Sequence, residues 1–286
     1  MRCFMTNKSR DIFLSNSNEL LIKYGEFQNI GINGFPSHSH LMCELLYLID
    51  GDISYHIEGR SYKLRRYDLV FTRPGKNHYL TFGSSSVPYR RYNVLCDPAY
   101  FPKELYRALP DDADVINFED NETVRGIFER LEFYSENLDE APQKMLFSAL
   151  LCEIFCHFAI AAKNPENRLP SSSNPTLDAA LKYIDENLTN IDSIEAVCNS
   201  LFITKSYLHH VFKATLKITP KKYINQKRLL LARRKIRRGG SPTEIFRECG
   251  FSDYTTFYRN YKAYFGYEPK AEDSVAPQIT TPPIDF

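Results

Sequence analysis

At 286 residues the chain is long enough for about two domains, each able to bury a core without disulfide or metal staples. Its 43% hydrophobic and 25% charged residues exclude a disordered or fibrous chain, and its seven cysteines, with no Cys-x-x-Cys, argue against a disulfide framework or a thiolate zinc site. Basic residues number 36 and acidic ones 35, and this net charge of +1, if evenly spread, excludes a strongly basic nucleic-acid binder.

The first residues lack the apolar stretch and cleavage site of a signal peptide. No run reaches the roughly 18 apolar residues that span a bilayer. The longest, residues 145–162, is interrupted by Glu153 and His157, so a cytoplasmic protein without membrane contact is expected. Apolar bursts at residues 45–49, 53–57, 62–64 and 69–71, punctuated by Asp50-Gly51, Glu58-Gly59 and Pro74-Gly75, predict an antiparallel barrel or sandwich. From residue 122 the period is helical, with Val124, Ile127, Phe128 and Leu131 on one stripe and Leu146, Leu150, Ile154 and Phe158 on another. A break at 137–142 makes this a helical hairpin. Residues 164–175 are polar and rich in Pro and Ser, as an interdomain linker is. Helices follow to about residue 271, and a disordered tail is expected over 273–286. The fold class is therefore α+β in two domains. The expected limits are a barrel over 1–120, the hairpin over 121–163, the linker over 164–175 and an all-α domain over 176–272.

Division at the linker changes the meaning of the charge. Residues 175–273 hold 17 Lys and Arg against 11 Asp and Glu, while the first 174 residues carry a net −4. Between Glu195 and Glu244 lie twelve basic residues and no acidic one. Solvated helix faces usually mix signs to gain i,i+4 pairs, so this one-signed stretch calls for an anionic partner.

Two segments of the basic half share one construction. The first runs from Ser193 through a break at Leu201-Phe202-Ile203 to Thr204 and a second helix; the other runs from Thr243 through Gly250-Phe251-Ser252-Asp253 to a helix beginning at Tyr254. Each reads as helix, short turn and capped second helix, and a basic helix over 220–238 joins them. The spaced residues Ser206-Tyr207-Leu208-x-x-Val211-Phe212-Lys213, Thr219-Pro220-x-x-Tyr223-Ile224, Arg228-Leu229 with Ala232, Thr243-Glu244-Ile245 and Gly250-Phe251-Ser252-Asp253-x-x-x-Phe257-x-Arg259-x-Tyr261-Lys262-x-x-Phe265-Gly266-x-x-Pro269 resemble the DNA-binding domain of the AraC/XylS family of bacterial transcription regulators. The resemblance spans residues 177–271 and implies two helix-turn-helix units that reach successive major-groove segments, about 34 Å apart on B-DNA.

Carried over by position, base readout falls to Ser206, His209 and His210 in the first unit and to Tyr254, Thr255, Tyr258 and Arg259 in the second. Lys205, Lys213, Lys221, Lys222, Lys227, Arg228 and Lys262 are expected at phosphates. The chain departs from the family pattern at Phe202, where glycine is common, at Phe246, where a small residue is usual, and after Pro269, where an aromatic is missing.

In the N-terminal half, His38-Ser-His40-x-x-x-Glu44 and Pro74-Gly75-Lys-Asn-His78 resemble the two signature motifs of cupins. Many AraC-type regulators carry such a barrel as their sensor, so the two resemblances agree. They imply an effector site at His38, His40, Glu44, Tyr55 and His78, and a tyrosine-lined interior would suit a polar molecule such as a sugar. His38, His40, Glu44 and His78 are also the candidates for a metal, being suited to Fe, Mn, Zn or Ni. A metal-free barrel with no cofactor is the preferred reading. The partners implied are double-stranded DNA, a small-molecule effector, a second copy of the chain through the hairpin, and RNA polymerase. The alternative is a metal-dependent cupin enzyme of the isomerase or dioxygenase type with an appended helical domain, and a third is an interaction protein that no longer binds DNA.

Overall fold

The computed structural model describes residues 8–14, 19–28, 35–84 and 87–272; the expected tail lies outside them. Ten strands are found among these residues: β1 (Lys8–Leu14), β2 (Leu20–Phe27), β3 (Phe35–His38), β4 (Cys43–Asp50), β5 (Ile53–Ile57), β6 (Arg60–Lys63), β7 (Asp68–Thr72), β8 (His78–Phe82), β9 (Tyr89–Cys96) and β10 (Val115–Asn117). They form a six-stranded sheet in the order β1-β2-β9-β4-β7-β10 and a four-stranded sheet in the order β3-β8-β5-β6. All pairings are antiparallel. Strand alternation divides β4 between two cores. Leu46 and Leu48 face the space between the sheets with Tyr55 and Leu80, whereas Leu45 and Tyr47 face the helices.

All three turn positions foreseen, at Gly51, Gly59 and Gly75, fall between strands, and one of them is shaped by what lies beyond it. Gly59, at φ +85°, ends the β5–β6 turn, and a Cβ there would stand 2.4 Å from Leu177 Cδ2 of the helical domain. Only glycine allows both that backbone and that approach.

A short helix, α1 (Lys103–Ala108), precedes the expected hairpin of α2 (Glu122–Asn137) and α3 (Glu140–Ala161). Phe147, Leu151, Phe155 and Phe158 of α3 pack with Phe71 and Phe128 on the outer face of the larger sheet. Contrary to the sequence expectation, α3 is one helix long and apolar enough by length and composition to cross a membrane, because Glu153 and His157 do not interrupt it.

The linker is not a free tether. Arg168 reaches Asp112 at 2.8 Å and the Ala162 carbonyl at 2.9 Å. Ser172 pairs with Ser61 at the edge of β6 through backbone hydrogen bonds of 2.9 and 3.1 Å.

The helical domain contains α4 (Pro175–Asn187), α5 (Ile194–Leu201), α6 (Lys205–Leu216), α7 (Pro220–Ile236), α8 (Pro242–Glu248) and α9 (Tyr254–Phe265). Side-chain oxygens of Asn174, Ser193, Thr204, Thr219 and Asp253 cap α4, α5, α6, α7 and α9 by accepting from first-turn N–H groups. Leu208, Val211 and Phe212 fill one core with α4 and α5, and Phe257, Tyr261 and Phe265 fill a second with α7 and α8. Phe246, which stands where the family usually has a small residue, is buried against the rings of Tyr254 and Phe257 at 5.7 and 6.4 Å.

Candidate effector site and nucleic-acid interface

β3 and β8 pair so that His38 stands opposite His78, and the loop after β3 carries His40 back toward Glu44 on β4. One ligand atom from each of these four residues lies within 4.8 Å of all the others. Each imidazole is held from behind: Nδ1 stands 2.9 Å from the Pro36 carbonyl for His38, 3.1 Å from Met42 for His40 and 2.9 Å from Lys76 for His78. A carbonyl can only accept, so each Nδ1 carries a proton and each Nε2 is left for other chemistry. His40 and His78 Nε2 lie 3.0 and 2.9 Å from Glu44 Oε2, and Asn93 donates to Glu44 Oε1 at 3.0 Å.

Two Nε2 atoms and a carboxylate oxygen meeting at one point need shared positive charge, from a proton or a cation. Burial works against charge on Glu44, but the His78 and His40 imidazoles outweigh it and hold the carboxyl well below its ordinary value. Burial likewise opposes charge on His78, and Glu44 overcomes it and raises the imidazole. His38, which lacks such a partner, is pushed by burial down to about 3. Three imidazoles and one carboxylate, with the rings oriented by backbone carbonyls, fit a divalent transition metal in donor type and support.

These residues line a chamber of about 60 Å³ together with Tyr55, Tyr79, Arg91 and Asn93. Tyr55 stacks at 10° to His78 with ring centroids 6.1 Å apart, and its hydroxyl meets Thr72 Oγ1 at 3.3 Å. Tyr47 points the other way and stacks on Phe128 at 4.3 Å, while the Tyr62 hydroxyl binds Asp114 at 2.7 Å. Sequence reasoning missed Arg91 and Asn93, although their alternation with Tyr89 and Leu95 on one face of the strand was a readable signal.

On the helical domain, Ser206, His210, Thr255 and Arg259 are exposed and His209 and Tyr258 half-buried, so the two expected readout faces are open. Tyr254 differs, because its ring packs into the second core against Phe246 and Phe257. Lys213 and Lys262 are exposed and make no ion pair among the described residues; Lys205 pairs with Glu195 at 2.6 Å. Lys221 and Lys222 are exposed at the start of α7 and line an interdomain cleft of about 920 Å³ with Ser37, His38 and Tyr264.

Two expected phosphate contacts are corrected. Arg228 is buried and donates to the Leu188 and Ile191 carbonyls at 2.9 and 2.6 Å, clamping the first unit to α7. Lys227 lies 3.4 Å from Glu58 of the barrel and 3.9 Å from Asp185. Nor is the basic stretch unpaired: Arg233 and Arg237 meet Glu272 at 2.8 and 2.7 Å, and Lys235 pairs with Glu248. The acids arrive from elsewhere in the chain, which a count along one stretch cannot reveal.

The barrel is docked on the DNA-binding half. Its β5–β6 turn places Glu58 against Tyr223 and Lys227 of α7, and the His38 strand meets the other side. There Ser37 donates to the Leu216 carbonyl at 2.7 Å, and the Tyr264 hydroxyl donates to the Ser39 carbonyl at 2.8 Å. Tyr79, which lines the chamber, donates to the Thr215 carbonyl at 2.7 Å.

Comparison with known proteins agrees with both halves. The profile of the AraC-like ligand binding domain matches residues 26–139, and a helix-turn-helix domain profile matches residues 197–272. The HTH-type transcriptional activator RhaS of Escherichia fergusonii is 24% identical over 251 residues, covering 82% of this chain and 86% of RhaS. Among solved structures, ToxT from Vibrio cholerae aligns with a TM-score of 0.38 and 12% identity over 88% of this chain and 96% of its own. The AraC-like transcriptional activator CuxR aligns with a TM-score of 0.36 and 16% identity, covering 76% of this chain and 78% of its own. With both domains matched in order and a relative aligned across most of the length, the chain belongs to the AraC family of transcription regulators, with an AraC-like ligand-binding domain followed by a helix-turn-helix DNA-binding domain.

Proposed function

We propose that this regulator reads DNA with the exposed faces of α6 and α9 and takes its effector signal from the His38, His40, Glu44, Tyr55 and His78 chamber. The observation that carries the link is the continuity of β3 with the domain contact: His38 faces the chamber, and its neighbours Ser37 and Ser39 bond the helical domain. An effector that shifts β3 therefore shifts the end of α6 and α9, the two helices that carry the reading faces. Ser206, His209, His210, Thr255, Tyr258 and Arg259 are the proposed base-reading side chains, with Tyr254 as their packed support. Lys205, Lys213, Lys221, Lys222 and Lys262 are the proposed phosphate contacts.

The hairpin supplies the proposed homodimer face, supported by Met145 and Ile160 of α3, which are 71% and 63% exposed on an apolar helix. RNA polymerase is the proposed partner of the DNA-bound form, and the cytoplasm the proposed location. His38, His40, Glu44 and His78 would also hold a divalent transition metal, which when bound supplies a Lewis-acidic centre for an effector oxygen. The relatives are transcription regulators, which favours this reading over the cupin-enzyme alternative.

Genomic DNA captured by the purified protein, with and without added metabolite pools, and read by sequencing tests the proposal. Enriched sites whose occupancy changes with the pools are expected. The absence of enriched sites in every condition would exclude DNA reading by these helices.

A further inference from the structure

Arg91 of β9 is 7% exposed, and its Nε and Nη1 have no hydrogen-bond partner among the described residues. Its guanidinium lies 5.7 to 5.9 Å from the ring centroids of Phe27, Phe35 and Tyr89, an aromatic setting that holds a cation but leaves those two donors unfilled. A charged group in such a place is normally paired, because an unpaired buried charge is costly. Glu44, the one carboxylate that lines the chamber, is no help to it: its oxygens are taken by His40, His78 and Asn93. Asn93, two residues along the same face of β9, has its own Oδ1 buried without a partner among the described residues. The chamber thus holds one cation that makes no ion pair among the described residues, beside an unused acceptor.

We propose that the effector is an acid, a compact carboxylate whose charged end pairs with Arg91 and whose hydroxyl or other donor meets Asn93 Oδ1. This deepens the regulator reading and rests on it, and it replaces a neutral sugar with a hydroxy acid or sugar acid as the ligand class. The chamber, at about 60 Å³, suits a compact ligand. The rest of the molecule extends past His38 and His40, which also border the wider interdomain cleft. That cleft has no acidic residue in its lining, so it offers no repulsion to an anion.

The test uses full-length protein and pairs of isosteric probes: lactate with lactamide and glycolate with glycolamide, followed by thermal unfolding and calorimetric titration. Carboxylates are expected to raise the Tm and the amides not to. The variant Arg91→Met keeps the stem and removes the charge. It is expected to unfold at the same or a higher temperature than the unliganded parent and to bind carboxylates roughly 10- to 100-fold more weakly. A lower Tm for unliganded Arg91→Met would make the arginine a structural clamp and overturn the inference. Equal response to the amides, or no response to any carboxylate, would overturn it as well. DNA capture by the parent protein is scored separately: enriched DNA with no carboxylate response sinks the acid and leaves the regulator, whereas loss of both sinks the reading on which it rests.

Discussion

Tyr223 of α7 donates a 2.6 Å hydrogen bond to Glu58 Oε2 across the domain boundary, and Lys227, one helical turn on, supplies the charge that balances the carboxylate. This single acid from a sheet turn anchors the barrel to the helix that joins both DNA-binding units. Removal of it leaves Lys227 partly buried with only Asp185 nearby. Glu58→Ala is expected to weaken docking by about 3 kcal/mol, read as faster hydrogen exchange in α7 and a larger radius of gyration in solution scattering. Unchanged exchange in α7 would show that the other contacts suffice.

Docking is also expected to depend on acid. Burial raises the Glu58 carboxyl, but Lys227, Lys76, Tyr223 and the Asn77 N–H together bring it below its ordinary value. A group with a depressed value contributes fully above the ordinary glutamate range and loses that contribution as pH falls through and below it. Scattering from pH 7 downward should therefore show opening on the acid side, with Glu58→Gln open throughout.

The aromatic missing after Pro269 has a replacement of another kind. Glu272 is 2% exposed and accepts from Arg233, Arg237, Tyr261 and Tyr267, closing the second unit. Glu272→Gln is expected to cost about 3–5 kcal/mol, as the loss of one charge of a buried pair does, seen as early melting of α8 and α9. Burial raises the Glu272 carboxyl and its arginines and tyrosines lower it below the ordinary value, so this contribution too fades as pH drops.

Phe202 is 96% exposed and left-handed at φ 54° and ψ 40° in the turn of the first unit. An aromatic residue there bears backbone strain with no packing in return. Phe202→Gly is expected to raise stability by about 1 kcal/mol in denaturant titration. A fall in DNA affinity alongside that gain would mark the ring as a nucleic-acid contact.

Salt dependence separates the two kinds of lysine. Lys213→Ala should reduce the slope of log affinity against log salt by about 0.9, the share of one phosphate contact. Lys227→Ala should leave the slope unchanged while the domains stay docked. Equal losses would restore Lys227 to the phosphate set.

The helix-turn-helix units were legible because their signals are local: caps at Thr204 and Asp253, a glycine at 250, and apolar residues at helical spacing. The glycine has a tertiary reason as well, since a Cβ on Gly250 would stand 2.7 Å from Arg228 Nε. The cupin-like motif residues were legible for a similar reason, as His38, His40 and Glu44 lie within seven residues and a turn signal precedes His78. What was hidden depends on partners far apart in sequence. Arg228 and Lys227 look like phosphate ligands until Leu188, Ile191 and Glu58 are brought beside them. Arg91 shows the opposite case, a buried cation two of whose donors find no partner among the described residues.

The Ser61–Ser172 strap has a consequence for how far a signal can travel. Beyond Ser172 only Ser173 intervenes before Asn174 caps α4, a span of about 3.5 Å per residue. While the strap holds, the helical half can pivot about that point but cannot drift away from the sheet. The response expected of an effector is then a change in angle, delivered to both proposed reading helices at once, and not the casting off of one half from the other.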